Sequence, residues 1–170
     1  EDYLLSGPLE PTNEGYAIAK IAGLKLSKYI EKKFDTKCIC PMPCNLYGTN
    51  DNFDLTTSHV LSAMVKKFVD AVENNIDKVT LWGSGNPRRE FLHVEDAVSA
   101  IELLIDRWDS PDHINIGSGT DIKISELAQK ISHIAGFKGS IIWDETMPDG
   151  TPRKLVDISK IKSLGFEPKI

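Results

Sequence analysis

The chain has 170 residues, of which 41% are apolar and 26% are charged, so its composition is globular and argues against a disordered or low-complexity protein. The formal net charge is −5, and we expect no nucleic-acid partner, because phosphate binding needs a concentrated basic face. No apolar run approaches the roughly 18 residues that span a bilayer, so we expect no membrane partner either.

The three cysteines, Cys38, Cys40 and Cys44, lie within seven residues of one another, and no histidine stands nearby at metal-ligand spacing. This pattern favours reduced thiols over a zinc site, so we predict no metal and a cytoplasmic protein. The chain begins without Met, and residues 6–13 are rich in Pro, Gly and Asn as interior loops are. We therefore expect the chain to be a fragment of a longer protein.

Hydrophobic periodicity predicts helices and strands in regular alternation. In chain order the elements are a helix over 14–34, strands over 38–43 and 78–82 with a helix over 60–73 between them, an extended segment over 88–94, a helix over 94–105, a strand over 113–116, a helix from 125 to Gly136, a strand over 140–143 and a short helix over 158–164. This alternation indicates an α/β fold around a mostly parallel sheet.

Tyr16 and Lys20 stand four residues apart in the first predicted helix, so their side chains project from the same face. An ammonium beside a phenol makes the phenol a better proton donor near neutral pH. The same spacing also suits a partly buried tyrosine next to a solvated lysine. The pair alone does not decide between these two interpretations.

The surrounding motifs are more specific than the pair. They are NEGYAIAK at 13–20, PCNLYG at 43–48, DNF at 51–53, SHV at 58–60, WGSGNPRREFLHV at 82–94, NIGSG at 115–119 and PDGTPRK at 148–154. In this order they resemble the extended short-chain dehydrogenase/reductases that act on nucleotide sugars. The runs around Arg89 and Asp149 are similar to those of the epimerase-reductases of GDP-4-keto-6-deoxy-D-mannose within that family. The resemblance covers essentially the whole chain.

The resemblance implies the C-terminal part of a Rossmann-type parallel sheet plus a small α/β substrate-binding lobe. Residues 1–48 would carry the catalytic helix and a late strand of the dinucleotide-binding domain. Residues 49–170 would be mainly the substrate lobe, with about 90–118 returning to the sheet. The family pairs through helices that include the one bearing Tyr16, so the resemblance also implies a homodimer.

The implied activity is conversion of a GDP-keto sugar to GDP-L-fucose with NADPH, which makes NADP the expected cofactor and a GDP-sugar the expected partner. Tyr16, Lys20 and His59 would be catalytic, with His59 exchanging the acidic protons that flank the keto group. The same three residues would contact the cofactor, together with a run of four residues, Pro43, Cys44, Asn45 and Leu46. Four further residues would hold the GDP-sugar: Lys67, Trp82, Arg89 and Asp149.

Several features depart from that pattern. The chain has no Gly-x-x-Gly-x-x-Gly motif, and the family's catalytic serine and epimerisation cysteine precede this segment, so we expect the fragment alone to be inactive. Lys67 stands where relatives often have arginine. His59 also suits a polar helix cap, and Cys44 is a weak substitute for the missing cysteine. Two other functions stay open: another nucleotide-sugar epimerase or dehydratase, and a non-catalytic domain that binds a nucleotide sugar.

Overall fold

The computed structural model describes residues 1–2 and 4–170 and contains five helices and eight strands in that part of the chain. A short 3-10 turn, Pro11–Asn13, precedes the first helix. The elements are α1 Glu14–Phe34, β1 Cys40–Pro43, β2 Asn45–Tyr47, α2 Val60–Glu73, β3 Lys78–Trp82, β4 Arg88–His93, α3 Val94–Arg107, β5 His113–Ile116, β6 Asp121–Lys123, α4 Ile124–Ala135, β7 Ser140–Asp144, β8 Arg153–Lys154 and α5 Ser159–Ser163. The mixed α/β class predicted from the alternation is confirmed.

The strands pair mostly in parallel, as predicted, but they form three small sheets. One sheet pairs β1 with β5, and another pairs β3 with β7, both in parallel. The third sheet is centred on β4, which pairs in parallel with β2 and β8 and antiparallel with β6. Three of these strands were not predicted, because β2, β6 and β8 have only two or three residues and show no periodicity.

One hydrophobic core lies between α2, α4 and the β3–β7 sheet. Phe68 of α2 is its centre, fully buried, and its ring centroid lies 5.4 Å from that of Phe137. Met64 of α2 and Leu127 of α4 pack into this core. Val79 and Leu81 pack into it from alternate positions of β3. The period of two along β3 explains why Trp82 points away from this core.

A second core lies under α3 and α5. It contains Leu92 of β4, Leu104 of α3, Ile114 and Ile116 of β5, and Ile161 of α5, each at most 1% exposed. The sequence of β5 alternates polar and apolar residues, yet Asn115 is buried as well, and its Nδ2 donates a hydrogen bond to the Asp157 carbonyl at 3.1 Å.

Helix α1 differs from the other long helices because none of its side chains is buried. Several of its large apolar residues are exposed, among them Leu26 at 56% and Tyr29 at 71%. The helix ends at Phe34 and is capped by Asp35, whose backbone is left-handed. Among the described residues, no helix combines the length and the apolar character needed to cross a membrane.

Candidate active site

A cavity of about 710 Å³ brings together five of the residues that the sequence singled out. Its wall contains Tyr16 from α1, Pro43, Cys44 and Asn45 from the junction of β1 and β2, and His59 from the start of α2. These residues are up to 43 positions apart in sequence (59 − 16). The fold therefore places a phenol, an imidazole and a thiol around one space.

The Tyr16 side chain is 62% exposed, so the phenol is accessible for chemistry. The Lys20 ammonium lies 5.4 Å from the centroid of the Tyr16 ring, on the same face of α1 as the four-residue spacing predicts. Lys20 does not line the 710 Å³ cavity. It lines an adjoining groove between α1 and β1, which it shares with Tyr16 and Pro43.

His59 occupies the N-cap position of α2 in an extended conformation. Its side chain makes no capping hydrogen bond within the described part of the chain, and the residue is exposed. The imidazole is therefore not used as the polar cap that its position also allowed. His93 shows the contrast: its Nδ1 accepts a hydrogen bond from the Glu95 amide at 3.4 Å and caps α3.

The β1–β2 junction is held firmly by the neighbouring strands. The Cys44 amide donates to the Ile116 carbonyl at 2.8 Å, and Asn45 Nδ2 donates to the Glu90 carbonyl at 2.8 Å. Leu46 is the one residue of the predicted run that does not line the cavity; it pairs with Leu92 in the sheet. The junction thus presents Pro43, Cys44 and Asn45 to the space beside Tyr16.

The environment of Cys44 decides what its thiol can do. Burial, and secondarily the negative charge of Glu90, raises the pKa of Cys44 from 9.0 to about 12. The thiol is therefore neutral at physiological pH and is a poor base or nucleophile. This counts against Cys44 as a substitute for the epimerisation cysteine.

Lys67 and Trp82 lie together outside the cavity. The Lys67 ammonium is 6.0 Å from the centroid of the Trp82 ring and donates to the Thr80 carbonyl at 2.8 Å. Burial lowers the pKa of Lys67, because desolvation disfavours the ammonium. Trp82 is 65% exposed, so an aromatic face and a cation are both open to a ligand.

Arg89 and Asp149 extend this second group. Asp149 accepts hydrogen bonds from the Ser84 amide and the Ser84 hydroxyl, both at 2.7 Å, and these bonds lower the pKa of its carboxyl. Burial lowers the pKa of Arg89, and the charge of Asp149 opposes that shift. A Cβ on Gly83 would lie 2.3 Å from Asp149 Oδ1, and Gly83 has a φ of +77°, so only glycine allows this approach.

Sequence reasoning missed five residues of the cavity wall: Asn13, Glu90, Lys154, Leu155 and Val156. A signal for Glu90 was present. It stands two positions before Leu92 in β4, and both residues are buried, so an acidic side chain shares the inward face of a strand. Within the described residues, no three His, Cys, Asp or Glu side chains are grouped as a metal site needs.

Comparison with known proteins gives this arrangement a context. The NAD dependent epimerase/dehydratase family matches residues 1–117. The chain is 53% identical over 170 residues to the putative GDP-L-fucose synthase 2 of Arabidopsis thaliana, covering 100% of this chain and 52% of that protein. It is 46% identical over 175 residues to the GDP-L-fucose synthase of Escherichia coli strain K12, covering 98% and 54%.

Solved structures show the same similarity. A GDP-L-fucose synthetase from Naegleria fowleri bound to NADP superposes with a TM-score of 0.92 at 27% identity, covering 99% of this chain and 55% of that one. The chain spans about half the length of the curated relatives it matches. The division into two lobes and the role of each site residue stay predictions.

Proposed function

The chain belongs to the NAD dependent epimerase/dehydratase family and is a partial-length homologue of GDP-L-fucose synthases; on that premise we propose that it contributes to the conversion of GDP-4-keto-6-deoxy-D-mannose to GDP-L-fucose with NADPH. In this proposal the chain is the C-terminal portion of a cytoplasmic epimerase-reductase and is inactive alone. The observation that carries the proposal is the cavity that gathers Tyr16, Cys44, Asn45 and His59.

The residues beside the cavity fit a nicotinamide cofactor. The wall at Pro43, Cys44 and Asn45 is well ordered by backbone bonds and carries a neutral thiol, which suits an uncharged ring face. The Lys20 ammonium lies in the adjoining groove, where it would hold the hydroxyls of a ribose. When bound, NADPH supplies the hydride for reduction of the keto group.

Tyr16 is the proposed proton donor. Its exposed phenol would give its proton to the C4 oxygen of the sugar as the carbonyl becomes an alcohol, and the nearby Lys20 charge would stabilise the phenolate that remains. His59, whose ring is not engaged in capping, would remove and return protons at C3 and C5. The adjacent carbonyl makes those protons acidic enough for an imidazole.

The second group is the proposed GDP-sugar site. Lys67 and Arg89 would meet the diphosphate, whose negative charge would oppose the lowering of the pKa of Lys67 by burial. The exposed Trp82 face suits a ring of the ligand. Asp149, already bonded to Ser84, retains lone pairs that can accept from a sugar hydroxyl.

The proposal includes a homodimer through α1. This helix has no buried side chain, and its apolar residues Ile18, Leu26 and Tyr29 are all more than half exposed. Several exposed large apolar side chains on one helix are typical of an interface. A second copy of α1 is the proposed partner for these side chains.

The test is turnover of GDP-4-keto-6-deoxy-D-mannose with NADPH by the full-length protein that carries this chain. Tyr16→Phe is expected to lower kcat by about 10²–10⁴-fold while GDP-sugar binding is retained, because only the proton is lost. Tyr29→Phe is the matched control, a phenol on the same helix that is 71% exposed, and it should leave kcat unchanged.

Two outcomes would contradict this proposal. Full activity in Tyr16→Phe would remove the tyrosine from the chemistry. Binding of the GDP-sugar with no consumption of NADPH by the parent protein would favour a non-catalytic binding domain, or an epimerase or dehydratase that does not consume the reductant.

A further inference from the structure

Glu90 is a buried carboxylate that the proposed chemistry does not use. It is 1% exposed, although it stands in β4 at the wall of the cavity that contains Tyr16 and His59. Its Oε1 accepts hydrogen bonds from the Gly119 amide at 2.6 Å and the Ser118 hydroxyl at 3.4 Å, and its Oε2 accepts from the Val156 amide at 2.9 Å. Burying a carboxylate is costly, and here neutral donors from elsewhere in the chain offset that cost.

The donors come from two separate segments. Ser118 and Gly119 belong to the turn that follows β5, and Val156 belongs to the segment that follows β8. Gly117 makes the approach possible: a Cβ there would lie 2.3 Å from Glu90 Oε1 and 2.8 Å from Val156 Cγ2. The contact between Glu90 and the Val156 amide therefore needs two positions that are far apart in sequence. One is the acidic residue in a buried strand, and the other is Gly117, which has no side chain to block the carboxylate.

The contact fastens one end of a segment that joins the two halves of the site. We call residues 149–156 the strap. At its start Asp149 is bonded to Ser84 beside Trp82, and in its middle the Pro152 carbonyl accepts from the Arg88 amide at 2.8 Å. Arg153 forms an ion pair with Asp121, which also pairs with Arg88 at 2.7 Å. At its end the strap is fastened through Val156 to Glu90.

We propose that Glu90 is a positioning residue, which holds residues 154–156 as one wall of the cavity and so keeps the strap in the conformation that receives the GDP-sugar. Lys154, Leu155 and Val156 line the cavity; Lys154 is held by the pairing of β8 with β4, and Glu90 is the side chain that holds Val156. The identity of the ligand rests on the proposed function, whereas the fastening is a property of this chain.

The carboxylate is needed for its two equivalent oxygens. One oxygen accepts from the turn after β5 and the other from the strap, so each segment has its own acceptor. A glutamine of nearly the same volume would offer one carbonyl and would set its amide hydrogens against the other backbone N–H. Glu90→Gln therefore breaks one of the two connections without leaving a cavity.

Limited digestion of the full-length protein with trypsin tests the fastening. The strap contains two exposed cleavage sites, after Arg153 and after Lys154. Glu90→Gln is expected to raise the cleavage rate at these sites about tenfold, with less than about a twofold change elsewhere, because a local hydrogen bond is lost. Gly117→Ala should have the same effect by displacing the carboxylate, and Glu102→Gln, an exposed carboxylate on α3, should have none.

The variant Leu127→Ala distinguishes local opening of the strap from a general loss of stability of the fold. Leu127 is buried in the core between α2 and α4, away from the strap, so this variant should accelerate cleavage at all sites alike. If Glu90→Gln gave that uniform pattern, Glu90 would have only a structural role and the inference would be overturned. Selective cleavage within the strap supports it.

Steady-state kinetics of the same variant test the consequence for the substrate. The KM for the GDP-sugar should rise about tenfold, and by more than the KM for NADPH, because the strap begins at Asp149 in the proposed GDP-sugar site whereas the nicotinamide wall is held by its own bonds at Cys44 and Asn45. An unchanged KM for the GDP-sugar would overturn the positioning role. If the unsubstituted protein showed no turnover, the proposed function would fail, and the digestion pattern would still decide whether Glu90 fastens the strap.

Discussion

Helices α1 and α2 are both amphipathic in sequence, but they differ completely in packing. In α1, which has 21 residues, no side chain is buried. In α2, which has 14 residues, four side chains are buried, and Phe68 is among them at 0% exposed. The core around α2 is complete within this chain, whereas α1 presents Tyr16 and Lys20 without a core of its own. The proposed proton donor therefore stands on the part of the chain that depends most on contacts outside it.

The largest change in stability is expected from a substitution in the core around α2. Phe68→Ala should lower the free energy of unfolding by ~3–5 kcal/mol, because it removes a ring from a fully packed core. Val72→Ala on the same helix, where the side chain is 40% exposed, should change it by less than about 0.5 kcal/mol. Urea unfolding followed by circular dichroism measures both, and equal losses would contradict the description of this core.

A smaller effect is expected from a substitution on the exposed surface of α1. Leu26→Asp should raise the dissociation constant of the full-length homodimer at least about hundredfold, because it sets a carboxylate into the proposed interface. Sedimentation velocity measures the change, and Val72→Asp, an exposed apolar position on α2, is the control. A dimer that survives Leu26→Asp would remove α1 from the interface.

The smallest effect concerns the thiol beside α1. Because the pKa of Cys44 is raised to about 12, the folded protein keeps this proton at a pH where the unfolded chain, with an ordinary value near 9.0, has lost it. Stability should therefore fall as the pH rises through 9 toward 12, by about 1 kcal/mol at pH 10 after allowance for solvent at a half-buried group. Cys44→Ser should remove this part of the loss. Urea midpoints at several pH values for both proteins would show it, and parallel curves would count against the shift.

Much of the fold could be predicted because its long elements carry strong periodicity. Helices α1 and α2 and strands β3 and β5 have the predicted bounds. The short strands β2, β6 and β8 were missed, because strands of two or three residues exist only through their pairing with β4. The local sequence of such a short strand does not indicate which strand it pairs with.

The residues of the candidate site likewise fall into those that the sequence predicted and those that it did not. Tyr16, Lys20 and His59 were found from spacing and from the surrounding motifs, and the structure brings Tyr16 and His59 to one cavity. Glu90 was missed, since its significance depends on donors 28 to 66 positions away in the chain.

The alternation of helices and strands, the family and the residue types available for proton transfer follow from the sequence, because they depend on local periodicity and on contiguous motifs. Tertiary structure alone decided that Cys44 is a neutral thiol, that Lys67 is partly desolvated and that Glu90 fastens the strap. The physical reason is that burial and hydrogen bonding depend on which distant segments meet, and these two factors set the charge and the position of a polar side chain.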